Sequence, residues 1–107
     1  MLPIVTAEDF ATKILKADLP VLVVFSASWC SPCKTLKPYV AKAAKQYASR
    51  ILCFVLDIDE ADAIARKYRV LSIPQLALFV DGKVHGVVVG VSSQPWQDIE
   101  DLLAPVL

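Results

Sequence analysis

The chain has 107 residues, of which 56% are hydrophobic, and its eleven basic side chains balance eleven acidic ones. This length is enough for a substantial core but not for a second one, so we expect one domain over residues 1–107. The balanced charge provides no overall attraction to nucleic acid or to an anionic membrane, and we expect neither as a partner.

The N-terminal residues contain no positively charged leader followed by an apolar segment, so we expect no signal peptide. The longest apolar run, Leu19 to Phe25, is too short to span a bilayer. Three cysteines are too few for a secreted disulfide framework, and an odd number leaves at least one of them unpaired. We therefore expect a cytoplasmic protein, and we expect it to be a monomer.

The N-terminal segment predicts a short edge strand followed by a helix. Ile4-Val5 is the candidate strand. Thr6 and Asp9, three residues apart, form a variant of the capping box that opens a helix. Apolar residues then recur at helical spacing, which predicts a first helix from Ala7 to Ala17.

The next three elements predict a parallel unit of strand, helix and strand. Val21 to Phe25 is a continuous β-branched and aromatic run, typical of a strand that is buried on both faces, and Ile51 to Leu56 repeats it. Between them, Lys34 to Tyr47 has an amphipathic pattern that predicts a long helix, which Pro38 should kink. A crossover of this kind joins parallel strands.

The second half of the chain predicts a hairpin between two further helices. A short helix should run from Ala61 to Tyr68, and Asp81-Gly82 is a strong two-residue turn between Gln75 to Val80 and Lys83 to Val89. The last helix should begin near Ser92-Ser93, either of which could cap it. The whole pattern predicts an α/β fold with a mixed sheet and helices on both faces.

One hexapeptide has the residues of a reactive site: Trp29-Cys30-Ser31-Pro32-Cys33-Lys34, at a predicted junction between strand and helix. Two cysteines three residues apart on a first helical turn can form a small disulfide ring. The helix N-terminus favours the thiolate, which is the reactive form of cysteine. We therefore expect Cys30 to be the exposed attacking sulfur and Cys33 the buried resolving one. Pro32 suits the first turn, where its missing N–H costs no hydrogen bond.

This hexapeptide resembles the active-site motif of thioredoxins, with Ser31 where glycine is usual. The resemblance extends over most of the chain through Phe25, Pro38, Ser72-Ile73-Pro74, Asp81-Gly82-Lys83 and Val89-Gly90. It implies a thioredoxin fold, in which a central mixed five-stranded sheet is flanked by four helices. It also implies a protein thiol-disulfide oxidoreductase that reduces protein disulfides through Cys30 and Cys33 and needs no other cofactor.

The resemblance assigns further roles. The proline that matches Pro74 is cis in thioredoxins and faces the cysteines, and Ile73 before it would offer backbone hydrogen bonds to an extended substrate segment. The implied docking rim consists of Trp29, Pro32, Ile73, Pro74, Gly90 and Val91. The implied partners are proteins that contain disulfides and an electron donor of the thioredoxin-reductase type.

Three positions depart from the family pattern. Thioredoxins commonly bury an aspartate in the central strand and a lysine beside it, and here those positions are Val24 and Val55. Both charges are missing together, which predicts an apolar pocket. Cys33 would then lack its usual proton acceptor. Ser26 stands where thioredoxins often have tryptophan, so one aromatic wall near the site is missing.

Two other classes of function stay open at this point. The departures at Val24, Val55 and Ser26 also fit a binding or scaffold module with a specialised partner and weak redox activity. A zinc site formed by Cys30, Cys33, Cys53 and His85 has suitable ligand types but lacks the paired spacing of zinc modules, and we expect no metal. Cys53 lies in mid-strand and is expected to be a buried structural cysteine. We expect the acidic residues from Asp57 to Asp62 to be a solvated group.

Overall fold

The computed structural model describes residues 2–107. Its strands are β1 (Val21–Ser26), β2 (Leu52–Asp57), β3 (Gln75–Val80) and β4 (Lys83–Val89). They form one sheet in the order β2-β1-β3-β4, in which β1 pairs with β2 in parallel and with β3 antiparallel, and β3 pairs antiparallel with β4. The predicted mixed sheet and α/β class are confirmed.

The sheet has four strands among the described residues, so the expectation of five was wrong. Ile4 forms only an isolated parallel bridge with Val55, although two hydrogen bonds hold it there. The Val5 N–H donates to the Val55 carbonyl and the Val55 N–H donates to the Pro3 carbonyl, each at 2.9 Å. Because the chain turns into the Thr6 capping motif directly afterwards, this pairing does not extend into a strand.

The helices lie where the apolar spacing predicted them, with one difference in kind. They are α1 (Ser31–Gln46), α2 (Asp62–Lys67) and α3 (Pro95–Leu103), with a π-helix at Ala11–Leu15 and a terminal 3₁₀ turn at Ala104–Val106. The helix α1 continues through Pro38. No helix within residues 2–107 is both long and apolar enough to cross a bilayer.

The first helix is shorter than the predicted span from Ala7 to Ala17. Its capping motif is present: the Thr6 N–H donates to Asp9 Oδ1 at 2.6 Å, and the Asp9 N–H donates to Thr6 Oγ1 at 3.3 Å. Beyond it, however, the Lys16 N–H bonds to the Ala11 carbonyl five residues back. This wider π spacing replaces the regular α-helical turns.

Two apolar layers enclose the sheet. On one face, Leu22 and Val24 of β1 pack with Leu36 and Val40 of α1 and with Ile99 of α3. The opposite face carries a second cluster of residues from the N-terminal segment, the sheet and the α2 region: Phe10, Ile14, Val23, Phe25, Leu56, Ala61 and Phe79. Adjacent residues of a strand point to opposite faces, so β1 is buried on both sides, as its unbroken apolar run predicted.

Local turn and capping geometry determines the β3–β4 hairpin and the start of α3. Asp81 and Gly82 have positive φ values of 51° and 77°, which is the geometry of the tight hairpin turn that their sequence predicted. A Cβ atom on Gly82 would lie 2.9 Å from the Leu15 carbonyl oxygen. The predicted serine cap of α3 was wrong, because Gln94 holds the N-cap position. Ser92 instead accepts the Gln94 N–H and donates to Asp98 Oδ2.

Candidate active site

The cysteine pair lies where β1 gives way to α1. Cys30 is the N-cap residue of α1, and Cys33 is in its first turn. They form a disulfide with Cα atoms 5.3 Å apart. The Cys33 N–H donates to Cys30 Sγ at 3.2 Å. A sulfur at this position receives both a backbone N–H and the positive end of the helix dipole, which together favour a thiolate.

Both sulfurs are largely covered in this oxidised form. Cys30 is 4% exposed and Cys33 is fully buried. The expectation that Cys30 is exposed was therefore wrong for the disulfide, although Cys30 remains the more accessible of the two. The cause is packing: the two cysteines and Ala27 form a small buried cluster against which Ile58 and Ile73 pack.

Trp29 lies beside the pair and is held by a member of the acidic group that was expected to be solvated. It is 66% exposed, and its Nε1–H donates to Asp59 Oδ2 at 2.8 Å. Asp59 follows β2, whose carboxyl end lies next to that of β1 because the two strands are parallel. The expectation that this acidic group is merely solvated was wrong for Asp59, which orients the tryptophan.

The structure brings the Ile73-Pro74 segment against the cysteines. The Ile73–Pro74 peptide bond is cis. Ile73 packs on the disulfide cluster, and Pro74 is buried directly before β3. The Gly90 N–H donates to the Pro74 carbonyl at 2.8 Å, which ties the end of β4 to this segment. Of the other residues predicted to form the docking rim, Pro32 is exposed and Val91 is half-buried.

Behind the motif, the two valines that replace the family's charges face one another. Val24 is fully buried, Val55 is 8% exposed, and the register of β1 and β2 pairs them directly. Both belong to the apolar layer under α1. Ser26, two residues further along β1, is 1% exposed, and within residues 2–107 its Oγ has no hydrogen-bond partner.

The other two residues of the candidate zinc set, Cys53 and His85, do not join the cysteine pair in a metal site. Cys53 is 6% exposed in the middle of β2, and burial raises the pKa of its thiol to about 12. His85 is exposed on β4. Within the described part of the chain, no group of three or more histidine, cysteine or acidic side chains is arranged to hold a metal ion.

Sequence reasoning missed two residues that complete the site, Ile58 and Asp59. Both follow a strand that was predicted to be parallel to β1, and in open α/β sheets such loops gather at one edge. That rule could have placed them near Cys30. It could not have distinguished which acidic side chain reaches Trp29, because that depends on the path of the loop.

The sequence of the chain is similar to those of known proteins. The sequence model of the thioredoxin family matches residues 1–104. A thioredoxin of Pseudomonas aeruginosa is 42% identical over 90 residues, which cover 84% of this chain and 83% of that protein. A thioredoxin of Rickettsia bellii is 41% identical over 87 residues, 81% of this chain and 83% of that protein. A chloroplastic M-type thioredoxin of Brassica napus is 40% identical over 89 residues, which cover 83% of this chain and half of that longer protein.

Proposed function

Because this chain belongs to the thioredoxin family and is therefore a thiol-disulfide oxidoreductase that acts through its own disulfide, we propose that Cys30 attacks protein disulfides and that Cys33 resolves the product. In the reduced protein, the Cys30 thiolate attacks one sulfur of the substrate disulfide. A bond forms between Cys30 and that sulfur, and the other substrate sulfur leaves as a thiolate that takes up a proton.

Resolution completes the cycle. Cys33 loses its proton and attacks Cys30 Sγ, so that the intramolecular disulfide forms and the bond to the substrate breaks. The second substrate sulfur leaves as a thiolate and is protonated. The substrate disulfide has then gained two electrons, and the Cys30/Cys33 dithiol has lost two.

The observation that carries this assignment is the hydrogen bond from the Cys33 N–H to Cys30 Sγ. It points a donor at the sulfur that must be anionic in the first step. The cap position of Cys30 and its slightly greater exposure support the same order of attack. A fully buried Cys33 is accessible only to a sulfur already bound at Cys30, as resolution requires.

The substrate would bind as an extended segment beside the disulfide. Trp29, Pro32, Ile73, Pro74, Gly90 and Val91 form the proposed rim. Ile73 packs on the buried disulfide cluster and lies two residues before β3, which supports a role for its backbone in pairing with an added strand. The exposed ring of Trp29, oriented by Asp59, would cover the apolar side chains of the substrate.

We further propose that the protein works in the reducing direction, with a reductase of the thioredoxin-reductase type as its electron donor. Neither Ser31 nor Pro32 is basic, so no cation between the cysteines stabilises the reduced thiolate further. Its roles would be electron transfer and cellular redox homeostasis. Equilibration with glutathione should give a potential of about −270 mV, whereas a value of about −120 mV would indicate an oxidant.

A cytoplasmic location is supported by cysteine usage. Cys53 is a free, buried thiol, and a reducing compartment keeps such a thiol reduced. Bacterial and chloroplastic relatives both match, so this proposal depends on the cysteines alone. Fractionation of the source cells followed by immunodetection tests it.

Reduction of insulin by dithiothreitol tests the function directly. Catalytic amounts of the protein should accelerate the precipitation of the insulin B chain, and Cys30→Ser should abolish the acceleration. Cys53→Ala is the matched control, because it removes a cysteine away from the site and should retain full activity. A wild-type protein that gives no acceleration would overturn the proposal and favour the scaffold alternative.

A further inference from the structure

A cavity that the reaction described so far does not use adjoins the cysteine cluster, because Ala27 belongs both to its lining and to that cluster. Its volume is about 170 Å³, and its lining includes Ser26, Lys37 and Asp57, which come from three parts of the fold. Ile4, Ala27, Ser28 and Val55 complete the lining. Ser26 is 1% exposed, and its unpartnered Oγ is the only buried side-chain oxygen or nitrogen of this kind within residues 2–107.

The topology puts Ser26 and Asp57 on the face of the sheet that packs against α1, and Lys37 on α1 itself. Ser26 is two residues from Val24 along β1, so both side chains point to that face. Ser26 pairs with Asp57 in the parallel register, as Val24 pairs with Val55. Lys37 follows Cys33 by one helical turn, so the two lie on the same side of α1.

Resolution by Cys33 requires a proton acceptor in this region. Only the thiolate attacks a disulfide, and Cys33 is fully buried in a cluster with Ala27, packed by Ile58 and Ile73. Such surroundings disfavour an anion. The carboxylate that could take the proton is absent from the layer beneath, where Val24 and Val55 stand.

We propose that Ser26 and Asp57 form a water-mediated proton relay that deprotonates Cys33 during resolution. This inference depends on the proposed role of Cys33. The Cys33 proton passes to a water held by Ser26 Oγ, and that water passes a proton to the Asp57 carboxylate. The Cys33 sulfur attacks Cys30 Sγ, the bond from Cys30 to the substrate breaks, and the departing substrate thiolate takes up a proton from solvent. Asp57, half-exposed, returns its proton to solvent.

The cavity suits a water. Its volume exceeds that of one water molecule, about 30 Å³, and a buried water needs two to four polar partners. The Ser26 hydroxyl, the Asp57 carboxylate and the Lys37 ammonium belong to the residues that line it. A buried hydroxyl without a partner is costly, and a bound water removes that cost.

Asp57 is better placed for this role than its acidic neighbours. Asp59 Oδ2 accepts the Trp29 indole N–H. Asp57 Oδ1 accepts the Asp59 N–H at 2.8 Å, and Oδ2 is not used in that turn. Asp57→Asn keeps a side-chain oxygen for the Asp59 N–H but removes the proton acceptor, so it separates the chemistry from the loop structure.

The two thiol steps can be followed separately with 5,5′-dithiobis(2-nitrobenzoate). The reduced protein releases one coloured thiol when Cys30 attacks and a second when Cys33 resolves. In Asp57→Asn, stopped flow should show an unchanged first phase and a second phase that is slower by about tenfold or more. A general base in direct contact typically contributes about 10²–10⁴-fold, and a relay through water should contribute less. Asp57→Glu should restore part of the rate. The control Glu60→Gln removes a charge from the same loop outside the cavity lining and should change neither phase.

Ser26→Ala tests the other end of the relay. It should slow the second phase as Asp57→Asn does, and the double variant should be little slower than the slower single one, because both belong to one path. An unchanged second phase in both variants, or equal slowing of both phases, would overturn the relay. Failure of the proposed cysteine roles would look different: Cys30→Ser would still release the first thiol rapidly.

Discussion

The substitution Val24→Asp tests whether the core layer around Val24 is apolar and excludes water. Val24 is fully buried and faces Val55 across the β1–β2 register. The change removes about 1.5 kcal/mol of apolar burial. It also buries a carboxyl without a partner, which costs about 2 kcal/mol. We expect the free energy of unfolding to fall by about 3–4 kcal/mol, which for a domain of this size lowers Tm by about 15 °C.

The loss should depend on pH in a defined direction. Burial raises the pKa of a carboxyl, so the folded state would hold a proton that the unfolded state releases above pH ~4. The unfolded state is therefore favoured increasingly as pH rises, by up to about 1.4 kcal/mol per pH unit. Urea unfolding at pH 4, 6 and 8 measures this trend. Adding Val55→Lys should recover part of the stability, because the lysine lies directly opposite the new carboxylate.

The same variant has a kinetic signature. The fraction of the new carboxyl that is ionised near neutral pH should accelerate resolution of the mixed disulfide relative to wild type, because it can accept the Cys33 proton. Val24→Asn is the matched control, because it buries a similar polar group that cannot accept the proton and should give no acceleration. A Val24→Asp protein that is destabilised by less than about 1 kcal/mol would show that water reaches the core layer at Val24. Equal resolution rates for the two variants would refute the argument about the proton acceptor.

Three further predictions follow from individual residues. Burial of Cys53, which raises the pKa of its thiol to about 12, should prevent its alkylation in the native protein at pH 8. As pH rises past 9 the unfolded chain ionises this thiol and the folded protein does not, so stability falls, and Cys53→Ala should remove that loss. Rapid labelling of Cys53 would contradict its buried position. Gly82→Ala should cost about 1–3 kcal/mol in urea unfolding, because it combines a positive φ with a close backbone contact. Gly90→Ala, with a similar φ but open space, should cost less, and equal losses would show that the contact is unimportant. Hydrogen bonds from Lys13 and Thr6 lower the pKa of Asp9 to about 2, so the difference in Tm between wild type and Asp9→Asn should be present above pH 4 and disappear as pH falls towards 2. A difference that persists at pH 2 would contradict the capping role.

The features that the sequence predicted correctly depend on residues that are close together in the chain. Asp81-Gly82 predicted its hairpin because few residue pairs adopt two positive φ values, and the structure confirms both. The unbroken apolar run of β1 predicted a strand covered on both faces, and its residues contribute to both core layers. The cysteine spacing predicted a disulfide at the start of a helix, where Cys30 and Cys33 lie.

The errors concern features that depend on distant parts of the chain. Ile4 has the character of a strand residue, but the capping motif that follows ends its pairing with Val55 after one bridge. The exposure of Cys30 depends on Ile58 and Ile73, which lie about 30 and 40 residues further along the chain. The contact of Asp59 with Trp29 and the buried hydroxyl of Ser26 likewise arise only when the loop after β2 packs beside β1.

The most direct test of the catalytic assignment is the capture of a mixed disulfide. Reduced Cys33→Ser and Cys30→Ser proteins, each carrying Cys53→Ala, would be incubated with insulin and examined by intact mass spectrometry. The account predicts that Cys33→Ser accumulates a covalent adduct through Cys30, whereas Cys30→Ser accumulates almost none, because its remaining thiol is buried and unactivated. Equal adduct formation by both variants would contradict the assignment of Cys30 as the attacking sulfur.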